Sequence, residues 1–312
     1  MTTVPPPEPA DGDAAGSEPA GFVVEVAPGD RIHFLDWSDP DPAVADRPPV
    51  LLIHGLSNTA WSWAPVARRL RPVAHIVGMD LRGHGLSDAP TDGYNPDGFT
   101  ADVVAVAEGS GLLRGPTDRV ALAGHGFGAI VAAWAAEAIG DRCAALVLVD
   151  GGWESIEGSS GMDVDEFLRN LDEPPEVLRS MTAFLADRAG FDPTTWDADQ
   201  ERAARATVVE THAGKVVPAT RPHARDACVR AMFDYEPVSV LAGVRAPIVA
   251  LRAGDDADGG RARALADCST ARVAAGRDPI RVEVFERDGH NLMRYRPDAV
   301  SAAILSIAER SS

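Results

Sequence analysis

Four histidines, His54, His84, His125 and His290, fall where apolar runs end, the places where buried strands hand side chains to a site. Histidine supports two chemistries there, metal ligation and proton transfer near neutral pH. Metal ligation fits badly, because none of the four shows H-x-H or i, i+4 spacing and no cysteine joins them. Proton transfer needs a partner, and His125 belongs to a suggestive frame. Gly124-His125-Gly126-Phe127-Gly128 has the outline of a strand-to-helix turn that presents a nucleophile at its centre, yet that centre is Gly126, which has no side chain.

The elements that must carry these residues are legible as alternating strands and helices. FVVEV and RIHFLDW, separated by APGD, read as a hairpin, and PPVLLIHG as a strand buried on both faces. Asn58 is placed to cap the helix TAWSWAPVARRLR. The strand AHIVGMD, a helix over DGFTADVVAVAEGSG, the strand DRVALAG, the helix after the glycine turn and the strand CAALVLVDGG follow. From residue 153 to 236 the patterns are mostly helical, and strand–helix alternation then resumes with APIVALRAGDD, IRVEVFERDGH and PDAVSAAILSIAER. The expected fold class is α/β, a doubly wound and mostly parallel sheet. Residues 21–152 and 237–312 form its core, 153–236 an insertion, and residues 1–20, rich in Pro, Ala and acids, a disordered tail.

The net charge of −18 and pI near 4.8 argue against nucleic acid or an anionic membrane as partner. Hydrophobic residues make up 45% of the 312, enough for a large core, and no run is long enough to span a bilayer. Cys143, Cys228 and Cys268 are odd in number and widely spaced, which fits reduced thiols in a cytoplasmic protein. No signal-peptide pattern opens the chain.

Four segments in order, LLIHG at 51–55, DLRGHGLSD at 80–88, GHGFG at 124–128 and DGHNLMRYRP at 288–297, resemble the α/β-hydrolase superfamily over nearly all of residues 21–312. The likeness is to its capped esterase, C–C hydrolase and epoxide hydrolase branches. The resemblance implies a helical cap at 153–236 and a small-molecule pocket beneath it. It implies an oxyanion hole from the backbone N–H groups of Leu56 and Phe127, a device that survives a glycine at position 126. It makes His290 the acid–base residue. Aligning Leu251-Arg252-Ala253-Gly254-Asp255-Asp256 with the family's L-x-G-x-x-D puts the acid at Asp256, with Asp255, Asp258 and Asp150 as alternatives. Ser57, Trp61, His125, Trp153 and Asn291 are the expected pocket residues; no cofactor and no metal are implied.

Three readings of Gly126 stand open. The chain is a serine hydrolase whose nucleophile has been replaced by mutagenesis, an enzyme that needs no protein nucleophile and uses a His290–Asp256 dyad as hydrolase, lyase or cyclase, or a binding protein that has lost the chemistry. A substrate carrying a carbonyl (ester, thioester, lactone or diketone) suits the first two. Epoxides suit them less, because those branches place an aspartate where Gly126 stands.

Overall fold

The computed structural model describes residues 18–27, 29–37, 49–171 and 179–308. The expected disorder of the first twenty residues lies mostly outside them, but strand is already present at Ala20. The hairpin is β1 (Ala20–Ala27) and β2 (Asp30–Asp36), followed by β3 (Val50–Ile53), α1 (Ala64–Leu70), β4 (Ile76–Met79), α2 (Pro96–Gly109), β5 (Val120–His125), α3 (Phe127–Ile139) and β6 (Cys143–Val149). The insertion holds α4 (Ile156–Ser160), α5 (Val164–Leu171), α6 (Met181–Phe191), α7 (Ala198–Ala206), β7 (Val208–Glu210), β8 (Val216–Pro218) and α8 (Pro222–Phe233). The chain then completes its core with α9 (Pro237–Gly243), β9 (Ile248–Ala253), α10 (Gly260–Ala274), β10 (Arg281–Phe285), α11 (Leu292–Tyr295) and α12 (Pro297–Ala308).

Eight strands form one sheet in the order β1-β2-β4-β3-β5-β6-β9-β10. Pairing is antiparallel through β1, β2 and β4 and parallel from β4 to β10. The uninterrupted apolar runs have a direct cause. Leu51, Ile53, Leu122, Leu146 and Leu148 feed a core with α2, α3, α9 and α10, while Val50, Leu52, Ala123, Val147 and Val149 feed another with α1 and α12. Each fully buried Leu or Val contributes roughly 1.5–3 kcal/mol of transfer free energy. Ala129, Ala132, Ala133 and Ala136 of α3 lie in the first core, and Ala121 and Ala123 of β5 in the second.

Helix ends are tied by residues far away in sequence. The helical turn Ala60–Trp63 before α1 is capped not by Asn58, whose side chain takes the Thr59 N–H, but by buried Asp80, whose Oδ1 accepts from Ala60 N at 2.7 Å. Asp80 Oδ2 also accepts from His33 Nδ1 at 2.8 Å and Leu86 N at 3.0 Å. Arg272, fully buried on α10, donates to the carbonyls of Leu241, Val244, Ala246 and Asp278 and so satisfies the chain leaving α9. Arg82 grips Asp102 on α2 with two bonds of 2.6 and 2.7 Å.

The described residues between 153 and 236 are mostly helical, with one short sheet. β7 and β8 pair antiparallel, a ladder of only three residues per strand and too short to show as alternation. Arg68 on α1 holds Asp199 on α7, and Arg202 lies 4.5 Å from the Trp61 ring centroid. Arg294, four residues after His290, donates to Thr195 Oγ1 and the Asp192 carbonyl.

Candidate active site

β5 runs into α3 with one residue between, and that residue is Gly126, at φ 54° and ψ −118°. A side chain there is strained, which glycine avoids. The turn is this tight because α3 starts against the sheet: a β-carbon at Gly128 would stand 2.3 Å from the Ile53 carbonyl oxygen. Phe127 opens α3, so its N–H has no acceptor within the helix. Among the described residues, the N–H of Leu56, just past β3, donates to no backbone carbonyl either. Both residues line one cavity, and their amides can hold a developing negative charge.

His290 arrives from the opposite side, on the loop between β10 and α11. Its Nδ1 lies 2.6 Å from Asp150 Oδ2. The other nitrogen, Nε2, faces Gly126, 3.2 Å from where a β-carbon on that glycine would be. The carboxylate expected at Asp256 is therefore at Asp150, the alternative at the end of β6. Asp256 is engaged elsewhere: its oxygens accept from the N–H groups of Arg261 and Ala262 in the first turn of α10, and Arg252 faces it at 2.7 Å. Asp255 accepts from the Asp256 N–H, and Asp258 from Gly260 N at the cavity rim. None of the three reaches His290.

Asp150 is held with unusual completeness. It has φ 48°, one of two non-glycine residues with positive φ among the described residues, the other being Ser57. Such conformations cost roughly 1–3 kcal/mol and persist where surroundings impose them. Oδ1 accepts from Ala253 N at 2.7 Å and Arg261 Nη2 at 2.8 Å, while Oδ2 serves His290. Burial pushes this carboxyl's pKa up, but the bonds from His290 and Ala253 and the Arg261 charge outweigh it, so Asp150 lies below the ordinary carboxylate range.

The cavity encloses about 830 Å³ between the strand ends, the start of the insertion and α10. Gly126, His125, Asp150, His290, Asn291 and Asp258 line it. Three expected pocket residues do not. Ser57 is exposed beside it and its neighbour Asn58 takes the wall; Trp61 packs between Trp37 and Arg202; Trp153 is fully buried beneath, under Arg261. Sequence reasoning misses Glu154 and Arg261. Arg261 sits in the first turn of α10, five residues past Asp256, and only the fold brings it to Asp150.

A family model described as the alpha/beta hydrolase family matches residues 50–303, most of the chain and nearly all the elements just described. The chain belongs to the alpha/beta hydrolase family. N-formylmaleamate deformylase of Pseudomonas putida is 30% identical over 234 residues, covering 73% of this chain and 76% of that protein. Esterase PIR7B of Oryza sativa subsp. japonica is 29% identical over 129 residues, 41% of this chain and 47% of the esterase. The chain thus spans about half the length, or less, of several curated relatives it matches, including 26% of epoxide hydrolase 4 of Mus musculus. The solved structure of E-2-(acetamidomethylene)succinate hydrolase superposes with a TM-score of 0.73 at 20% identity, over 93% of this chain and 99% of the other.

The other three histidines at strand ends, His54, His84 and His125, are held by backbone partners. His54 donates from Nδ1 to the Gly55 carbonyl at 2.8 Å and accepts at Nε2 from the Leu81 N–H at 3.0 Å, so both nitrogens are used by a neutral ring. His84 bonds the Arg82 carbonyl, and burial with the nearby His54 lowers its pKa to about 3. His125 donates from Nε2 to the His290 carbonyl at 3.1 Å, and burial with the nearby His290 lowers it to about 3. Among the described residues no three His, Cys, Asp or Glu side chains gather in metal-holding geometry, and no helix is long and apolar enough to cross a membrane. Cys143, Cys228 and Cys268 are unpaired and buried.

Proposed function

We propose that the chain is a hydrolase for a small carbonyl compound (an ester, thioester, lactone or diketone) that uses water directly as its nucleophile. His290 is the general base and Asp150 fixes its orientation. Water occupies the position over Gly126 that a serine hydroxyl would otherwise take. One observation carries the reading: the 2.6 Å bond from His290 Nδ1 to Asp150 leaves Nε2 turned to Gly126, with 3.2 Å to the missing β-carbon.

The steps balance. Water attacks the carbonyl carbon while its proton passes to His290 Nε2. The carbonyl oxygen becomes an oxyanion held by the N–H groups of Leu56 and Phe127, each such donor supplying about 3–4 kcal/mol of transition-state stabilisation. Collapse expels the leaving group, which takes the proton back from His290, giving acid and alcohol, thiol or the neutral carbon fragment. The helical insertion acts as a cap that forms the outer wall. Relatives bearing the names deformylase, hydrolase and esterase support the reaction class.

Intact-mass spectrometry during turnover of a p-nitrophenyl ester tests the absence of a protein nucleophile. The expected result is product release with no acyl adduct, abolished in His290→Ala; an adduct on any side chain would overturn the direct-water route.

A further inference from the structure

We propose that Arg261 is a positioning residue of this site, which holds Asp150 in place and, as a cation, sets the pH at which the His290–Asp150 pair takes up its proton. This inference rests on the proposed role of that pair.

The geometry gives Arg261 an arrangement beyond that of a surface arginine. Nη2 donates to Asp150 Oδ1 at 2.8 Å, the oxygen that His290 leaves free; Nε donates to Glu154 Oε2 at 3.0 Å; Nη1 donates to the Ala253 carbonyl at 2.7 Å. The guanidinium also lies 5.4 Å from the ring centroid of buried Trp153. Its backbone is fixed in turn, because Asp256 accepts from the Arg261 N–H. A chain of contacts therefore runs from Asp256 through Arg261 to Asp150 and His290. The aspartate that the sequence selects acts on the site from two residues away.

Charge follows from position. Asp150 is 5% exposed at the side chain, so the guanidinium is little screened from it. The other charged or titratable groups around the pair are Glu154 after β6, His125 at the end of β5, Asp258, Arg263 and Asp267 before and on α10, and Asp288 on the His290 loop, which Arg296 engages. Arg263 gives a bond to the Asp258 carbonyl, leaving Arg261 as the cation in contact with Asp150. Without it, Asp150 and Glu154 face the imidazole uncompensated, and protonation of the pair becomes easier.

The test follows the histidine ring signals of the full chain by NMR through a pH titration, which needs no turnover and so stays readable if the chain hydrolyses nothing. In Arg261→Gln the midpoint of proton uptake by the pair should rise by about one pH unit. Glu154→Gln should move it down, and Arg261→Lys, which keeps the charge, should leave it within a few tenths. Where a substrate turns over, the acid limb of kcat/KM should follow the same shifts. An unchanged midpoint in folded Arg261→Gln overturns the electrostatic role. A fall, with loss of the His290 Nδ1 proton signal, overturns it too, since Arg261 would then be scaffold alone. If Arg261→Gln does not fold, equal midpoints in Glu154→Gln and the parent chain overturn the electrostatic role in its place.

Discussion

His290 Nδ1 stands 2.6 Å from Asp150 Oδ2, and that bond joins the loop after β10 to the end of β6, passing over the aspartates that follow β9. Asp150→Asn keeps the shape but offers the imidazole an amide in place of a carboxylate. Activity should fall about 10³–10⁴-fold. Asp256→Ala removes both side-chain acceptors from the first turn of α10, so it should cost about 1 kcal/mol in urea unfolding and far less in kcat. Parallel kinetics and denaturation on the two variants check this ordering.

Gly126→Ala should fold and fail. Its positive φ makes the substitution cost about 1–3 kcal/mol, and the new methyl group would stand 3.2 Å from His290 Nε2, where the attacking water belongs. Gly126→Ser carries the same strain but supplies a hydroxyl beside the base. A fluorophosphonate probe should label Gly126→Ser and leave both the parent chain and Gly126→Ala unlabelled.

Acid should destabilise the protein early. His84 and His125 are lowered from 6.5 to about 3 in the folded state, so on acidification the unfolded chain binds their protons first. Their contribution is intact above about pH 6.5 and is lost as the pH falls towards 3, at up to about 1.4 kcal/mol per pH unit for each ring. The depressed Asp150 carboxyl adds a loss below pH 4, as its contribution disappears on falling through its folded pKa. Urea midpoints at pH 7.5, 6 and 5 should decline in that order.

Arg82→Ala should be among the more damaging changes outside the site. It strands Asp102, fully buried on α2, without its two charged bonds and frees the Gly93 and Gly98 carbonyls. Breaking one side of such a pair costs roughly 3–5 kcal/mol. Thermal melting would show a drop of several degrees or more.

The core is legible because its strands are buried on both faces and read as unbroken apolar runs, from Val50 to Ile53 and from Cys143 to Val149. His290, Gly126, Leu56 and Phe127 are singled out through the motifs that resemble the family, which lie at or just after strand ends. The acid is not, since two strand ends carry aspartates and loop spacing favours the wrong one. Two local signals point to Asp150. Arg252 stands four residues before Asp256, a ready partner for it. Gly151 and Gly152 follow Asp150, and a β-carbon at Gly151 would come within 2.8 Å of Gly126, so this strand end is built against the turn. Trp61 and Trp153 mislead because a large aromatic near a strand end fits core and cleft alike, and packing alone decides. Arg261 and Glu154 come from segments that only the fold brings together.

The most direct measurement is kcat/KM of the parent chain and His290→Gln on short-chain p-nitrophenyl esters at pH 8. A base that activates water predicts measurable turnover by the parent and a loss of about 10²–10⁴-fold in the variant. Equal rates in the two, or no turnover by the parent above buffer, would contradict the account.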